Sequence, residues 1–209
     1  MSVADNTSST FGPSHPFNTG LGIPIARASD DAQGTVTLLF REVKTKDGEP
    51  SDRILALTNK HVATLDTTTH YDFDSNNPLS ILVCGERCFI RAFDEVQDAL
   101  NTGLHDAVRL TGEFQEAKAG GQTTRAMQRK QTDLYRQNED NETLQEFFNQ
   151  VDEKWRVVND REFAKVHWAP NISVTVGDRP YTRDMAALAV DEEKLIPYSF
   201  TFFIIQGLS

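Results

Sequence analysis

The chain has 209 residues, 38% of them hydrophobic and 25% charged, which is enough for one domain of ordinary size with a sizeable core. A net charge of −10 excludes general nucleic-acid binding, which needs clustered lysine and arginine to displace counterions from phosphates. The same charge disfavours an anionic membrane surface, and no stretch approaches the roughly 20 apolar residues of a membrane span.

Residues 1–10 lack the basic-then-apolar pattern of a signal peptide, so the expectation is a cytoplasmic protein. Residues 1–32 read as a flexible lead-in rich in Ser, Asn, Gly, Pro and Thr. Its one apolar patch, Gly20 to Ile25, could form a first strand or a tucked arm. The β-domain is expected over 33–209. Thr35 to Val43 is β-rich, Lys46-Asp47-Gly48-Glu49-Pro50 is a turn, and Asp52 to Thr58 is a second apolar run. A further strand pair is predicted at Ser80 to Cys84 and Cys88 to Ala92. Short strands with turns between them favour an antiparallel sheet, a barrel or half-barrel, over a parallel layout.

Between about 112 and 160 the sequence is charged, Gln-rich and free of proline. Leu144, Phe148, Val151, Trp155 and Val158 recur at spacings of 4, 3, 4 and 3, one stripe of a helix. Asn138 to Glu142 reads as the turn before it, and Thr143 with Glu146 as a capping box. A weaker helix, Phe114 to Arg136, is interrupted by Gly120-Gly121. The segment is expected to form a helical hairpin carried by the β-domain, either packed on it or offering the stripe to a protein partner. Strand character returns at Phe163 to Ala169, Ile172 to Val176, Met185 to Val190 and Phe200 to Ile205.

Cys84 and Cys88 are the two cysteines. A structural zinc needs four ligands, and His70, His105 or His167 would have to be gathered by the fold to complete one. The pair is therefore read as small hydrophobes on strands, with no metal and no cofactor expected.

The informative stretch is Ile54-Leu55-Ala56-Leu57-Thr58-Asn59-Lys60-His61, an apolar strand closing in Thr with a His three residues on. It resembles the histidine motif of trypsin-like serine peptidases, with Asn59-Lys60 where that family has small residues. The resemblance implies that His61 is a general base, for which imidazole is suited because it takes up and returns a proton near neutrality. Such a base needs a carboxylate to fix its tautomer. Two candidates compete. Asp184, in Asp184-Met185-Ala186-Ala187-Leu188, resembles the family's Asp-Ile-Ala-Leu segment and precedes a strand, at a separation of 123 residues from His61. Asp106 lies 45 residues from His61, near the spacing in the chymotrypsin template, but leads into the helical region. With Asp184, the helical segment becomes an insertion, as in a group of large fungal trypsin-like proteins that this arrangement resembles.

The family's nucleophile lies in Gly-Asp-Ser-Gly, and no such segment occurs in the 209 residues. The expectation is thus the N-terminal part, or a degenerate homologue, of a trypsin-like peptidase that is inactive alone. Its partner would be a peptide or protein substrate if a second barrel completed it. The competing expectation is a protein-interaction module using the hairpin.

Overall fold

The computed structural model describes residues 22–121, 124–174 and 181–194. They divide into a β unit, built from 22–89 and 157–194, and a helical unit, 90–156.

The β unit holds one antiparallel sheet: β1 (Pro24–Arg27), β2 (Gln33–Thr35), β3 (Leu38–Arg41), β4 (Ile54–Thr58), β5 (Tyr71–Asp72), β6 (Ser80–Val83), β7 (Glu162–Ala169) and β8 (Ala186–Val190). The order is β2-β1-β6-β7-β8-β4-β3, with β5 on β7. The two ends of that order, β2 and β3, are separated along the chain only by Val36 and Thr37. The sheet therefore curls until its edges return to one another. Thr58 at the end of β4 pins the curl, its Oγ1 donating to Thr35 O at 2.9 Å.

The inside of the curl is filled by one face of each strand, as the period of two requires. Ile54, Ala56, Ala186, Leu188, Leu39, Ile25, Ile81, Ala164 and Val166 are all buried. Burial at about 25 cal/mol per Å² of apolar surface is what holds these short strands, none of which would persist alone. Into this apolar unit the sequence also places two cations with almost no exposure, Lys60 at 0% and Arg161 at 1%. Arg161 Nη1 donates to Cys84 O at 2.8 Å, its Nη2 pairs with Glu86, and its guanidinium lies 4.6 Å from the centroid of the Phe89 ring. Two different nitrogens of the planar fork meet the two acceptors, a geometry that a single ammonium nitrogen does not offer. We expect Arg161→Lys to lower stability by about 1–3 kcal/mol, the cost of leaving the buried Cys84 carbonyl without its donor, read from the urea midpoint. An unchanged midpoint would show that the fork is dispensable.

The helical unit is an antiparallel hairpin of α2 (Glu86–Ala119) and α3 (Thr124–Trp155); α1 is the single turn Lys60–Ala63 in the β unit. Gly120-Gly121 makes the reversal, with Gly121 at a φ of 63°, a left-handed conformation that favours glycine at a helix end. Asn141 Nδ2 donates to Gly103 O at 3.0 Å, Lys130 Nζ meets Glu113 at 2.9 Å, and Phe93 and Phe148 lie 4.9 Å apart. A Cβ on Gly103 would come within 2.1 Å of Asn141 Oδ1, so this close approach needs glycine.

Several expectations are corrected here. Cys88 to Ala92 is helix, not strand: Phe89, Ala92, Val96 and Leu100 are buried at helical spacing, and that period overrides the local β character. The helices therefore run from 86 to 155 instead of 112 to 160. The turn at Asn138 to Glu142 and the capping box at Thr143 both fall inside α3, where Thr143 Oγ1 bonds back to Glu139 O. The lead-in is not loose throughout, since β1 sits between β2 and β6. Thr35 to Val43 is two short strands that serve opposite edges of the sheet. Of Ile172 to Val176, Ser173 forms an isolated bridge to Arg183, and 175–176, like Phe200 to Ile205, lie outside the described residues. Among the described residues no helix is long and apolar enough to cross a membrane.

Candidate active site

β4 and β8 are neighbours, paired from Leu55–Ala189 to Thr58–Ala186. The chain leaving β4 and the chain entering β8 therefore meet at one end of the sheet. That places His61, three residues past β4, beside Asp184, two residues before β8. His61 Nδ1 and Asp184 Oδ2 are 2.6 Å apart. The second carboxylate oxygen accepts the backbone N–H of His61 at 3.3 Å, and Asn59 Nδ2 donates to Asp184 O at 3.2 Å. One carboxylate thus grips both the ring and the backbone of the histidine. Of the two sequence candidates, the structure brings Asp184 to His61. Asp106 instead lies on α2 and pairs with Arg109 on its own helix at 3.0 Å.

Burial works against ionisation of Asp184, but the bonds from the His61 side chain and backbone outweigh it and hold its pKa below the usual carboxylate value. The side chain of Asp184 is 21% exposed and that of His61 58%, so the carboxylate is sheltered while the ring is open to solvent. With Nδ1–H directed at Asp184, a neutral ring carries its acceptor lone pair on Nε2. This is the arrangement that a general base requires.

In sequence Lys60 is only a departure from a motif. In the structure it anchors the histidine turn. Its Nζ donates to Thr69 O at 2.7 Å and to Ala169 O at 3.0 Å. Thr69 is itself held by Asp66, which accepts from Thr69 Oγ1 at 2.6 Å and from Thr68 N at 2.8 Å. Lys60 therefore ties α1 to the loop after it and to the end of β7. Burial lowers its pKa, opposed by the charges of Asp66 and Asp184.

An open groove of about 970 Å³ begins one residue from Asp184 and is lined by Met185, Ala187, Leu55, Leu57 and Phe40 on the outer face of the sheet. His167 also borders it, with Arg53 Nη1 at 3.1 and 3.0 Å from its two ring nitrogens. Among the described residues no group of three or more His, Cys, Asp and Glu could hold a metal ion. The helical stripe is largely covered: Leu144 and Val151 are buried, and Phe148 stacks on Phe93.

No protein-family model matches the chain, and neither a curated protein nor a solved structure matches it.

Proposed function

We propose that the β unit carries the base and orienting carboxylate of a trypsin-like serine peptidase, with His61 as base and Asp184 as its orienter. The observation that carries this reading is the 2.6 Å bond between His61 Nδ1 and Asp184 across 123 residues of sequence. The strand context supports it: Thr58 closes β4, Asp184 leads into β8, and those strands are paired. In a completed site His61 Nε2 would take the proton of a serine hydroxyl as the serine attacks a peptide carbonyl. It would then give that proton to the leaving amine, while Asp184 stabilises the imidazolium between the two steps.

The serine and its oxyanion donors are not in a Gly-Asp-Ser-Gly segment of this sequence. Because such a triad works as a unit, we expect the 209-residue chain to turn over no peptide by itself. Fluorogenic peptide assays with the wild type and His61→Ala check this. Turnover lost in the His61→Ala variant would mean that a nucleophile sits elsewhere in this chain. The orienting role is tested separately, by nitrogen NMR of the histidine rings. The expected spectrum shows His61 protonated at Nδ1 in its neutral form, and an Nε2-protonated ring would overturn the reading.

A further inference from the structure

The sequence predicts small strand hydrophobes at Cys84 and Cys88. The structure puts them in a different setting. Their Sγ atoms are 3.1 Å apart, closer than two sulfurs in simple van der Waals contact, and both are free thiols. They come from two kinds of element. Cys84 follows the last residue of β6, and Cys88 lies in the first turn of α2.

Neither sulfur hangs from a mobile tip. Cys84 N donates to Pro24 O at 2.8 Å, and its carbonyl accepts Arg161 Nη1 at 2.8 Å. Its φ of 50° is left-handed, a conformation rarely adopted by a residue with a side chain and held only where the surroundings impose it. Gly85 follows in a space so tight that an added Cβ would stand 2.0 Å from Asp31 Oδ1 and 2.3 Å from Ala26 Cβ. Phe89 N then closes the first helical turn onto Gly85 O at 2.8 Å. Arg87 clamps the same turn, its Nε on Asp31 Oδ2 at 2.8 Å and its Nη2 on Asp31 O at 2.8 Å. The backbone is thus fixed on both sides of the pair in the geometry that turns one thiol toward the other.

We propose that Cys84 and Cys88 are a redox-active dithiol that closes to an intramolecular disulfide by exchange with a small-molecule disulfide such as oxidised glutathione. Cys84 is fully buried and Cys88 half-buried, which sets the order of events. The Cys88 thiolate attacks one sulfur of glutathione disulfide, forming a mixed disulfide and releasing one glutathione thiolate. Cys84 then loses its proton to solvent and attacks the Cys88 sulfur, expelling the second glutathione thiolate. Two electrons pass from the protein dithiol to the reagent, and one disulfide is exchanged for another with two thiols formed. Burial raises the Cys84 thiol above its ordinary range, so the closing step quickens as pH rises. The ring closed is short, and chain entropy gains least from short loops, so the bond acts as a redox site more than as a staple. Nothing in this depends on the role proposed for His61.

The test uses the whole reduced chain in buffers of rising oxidised-to-reduced glutathione ratio, quenched with an alkylating agent and read by intact mass and peptide mapping. The expected result is a fall in alkylatable thiols from two to none, a mass lower by two hydrogens, and a single peptide linking Cys84 to Cys88. In Cys84→Ser the reaction should stop with one glutathione on Cys88. The wild-type map decides the matter by itself if that variant does not fold. Thiols that stay alkylatable throughout, stable double glutathionylation, or a disulfide joining two chains would each overturn the proposal.

Discussion

Lys60→Ala lowers the stability of the β unit by about 3–5 kcal/mol, the range for emptying a long buried side chain whose polar partners stay behind. Two effects add. Loss of the three methylenes beyond Cβ and of the ammonium leaves a cavity beneath α1, where Val62 and Ala63 are also buried. The carbonyls of Thr69 and Ala169 lose their donor, and the bond to Ala169 O is wholly buried. An orphaned buried acceptor costs about 1–3 kcal/mol. One effect opposes them, because the ammonium is itself desolvated, and removing it returns part of that penalty. Lys60→Met separates the terms. It keeps most of the volume and should cost about 2 kcal/mol, chiefly for the orphaned carbonyls.

The pH dependence gives an independent check. The folded state holds the Lys60 proton less tightly than the unfolded chain does, since burial lowers its pKa from 10.5. Stability therefore rises as pH climbs from the folded value toward 10.5, and the wild type should gain on Lys60→Met in that window. Trp168 lies in β7 and Trp155 in α3, so urea unfolding followed by fluorescence in a Trp155→Phe background reports the β unit. Equal midpoints for wild type and Lys60→Ala would mean that the ammonium anchors nothing.

How much of this was legible beforehand follows from the range of the interactions. β4, β7 and β8 announce themselves locally, by apolar runs that end at Thr58, Ala169 and Val190. His61 and Asp184 each sit at a fixed offset from such a strand, so the pair could be nominated before the strands were known to be neighbours. What could not be read is what depends on distant partners. Lys60 meets an acceptor 109 residues away, and Arg161 meets acceptors 77 and 75 residues away. A buried lysine and a surface lysine look alike in sequence. β1 has four residues and owes its place to β2 and β6 on either side, so its own composition leaves a first strand and a tucked arm both open. At Cys88 to Ala92 a five-residue window was β-like, and only the longer run through Leu100 shows the helical period. The choice between Asp184 and Asp106 was open for the same reason, since spacing measures chain length and not which strands pair.

Asp184→Asn is the change with the largest functional effect expected. An amide can keep the shape of the carboxylate, but its NH₂ faces the ring where an acceptor stood. His61 Nδ1 then becomes the acceptor and Nε2 carries the proton, so the ring can no longer take one from a nucleophile. In a serine peptidase this wrong tautomer lowers kcat by about 10⁴, and the same factor is expected in any assembly that completes this site with a serine. The effect on folding is far smaller. His61 is 58% exposed, so solvent screens the pair, and the substitution should cost about 1 kcal/mol at neutral pH. The sign with pH is fixed by the direction of the Asp184 shift. Its folded pKa lies below 3.8, so the stabilisation is complete above that value and fades as pH falls through the folded pKa. Wild type and Asp184→Asn should therefore differ in stability at pH 7 and converge in acid, while their His61 tautomers differ wherever the ring is neutral. Nitrogen NMR of the two proteins reads the tautomer directly. If both show the same protonated nitrogen, the carboxylate does not orient the ring, and the peptidase reading loses its central support.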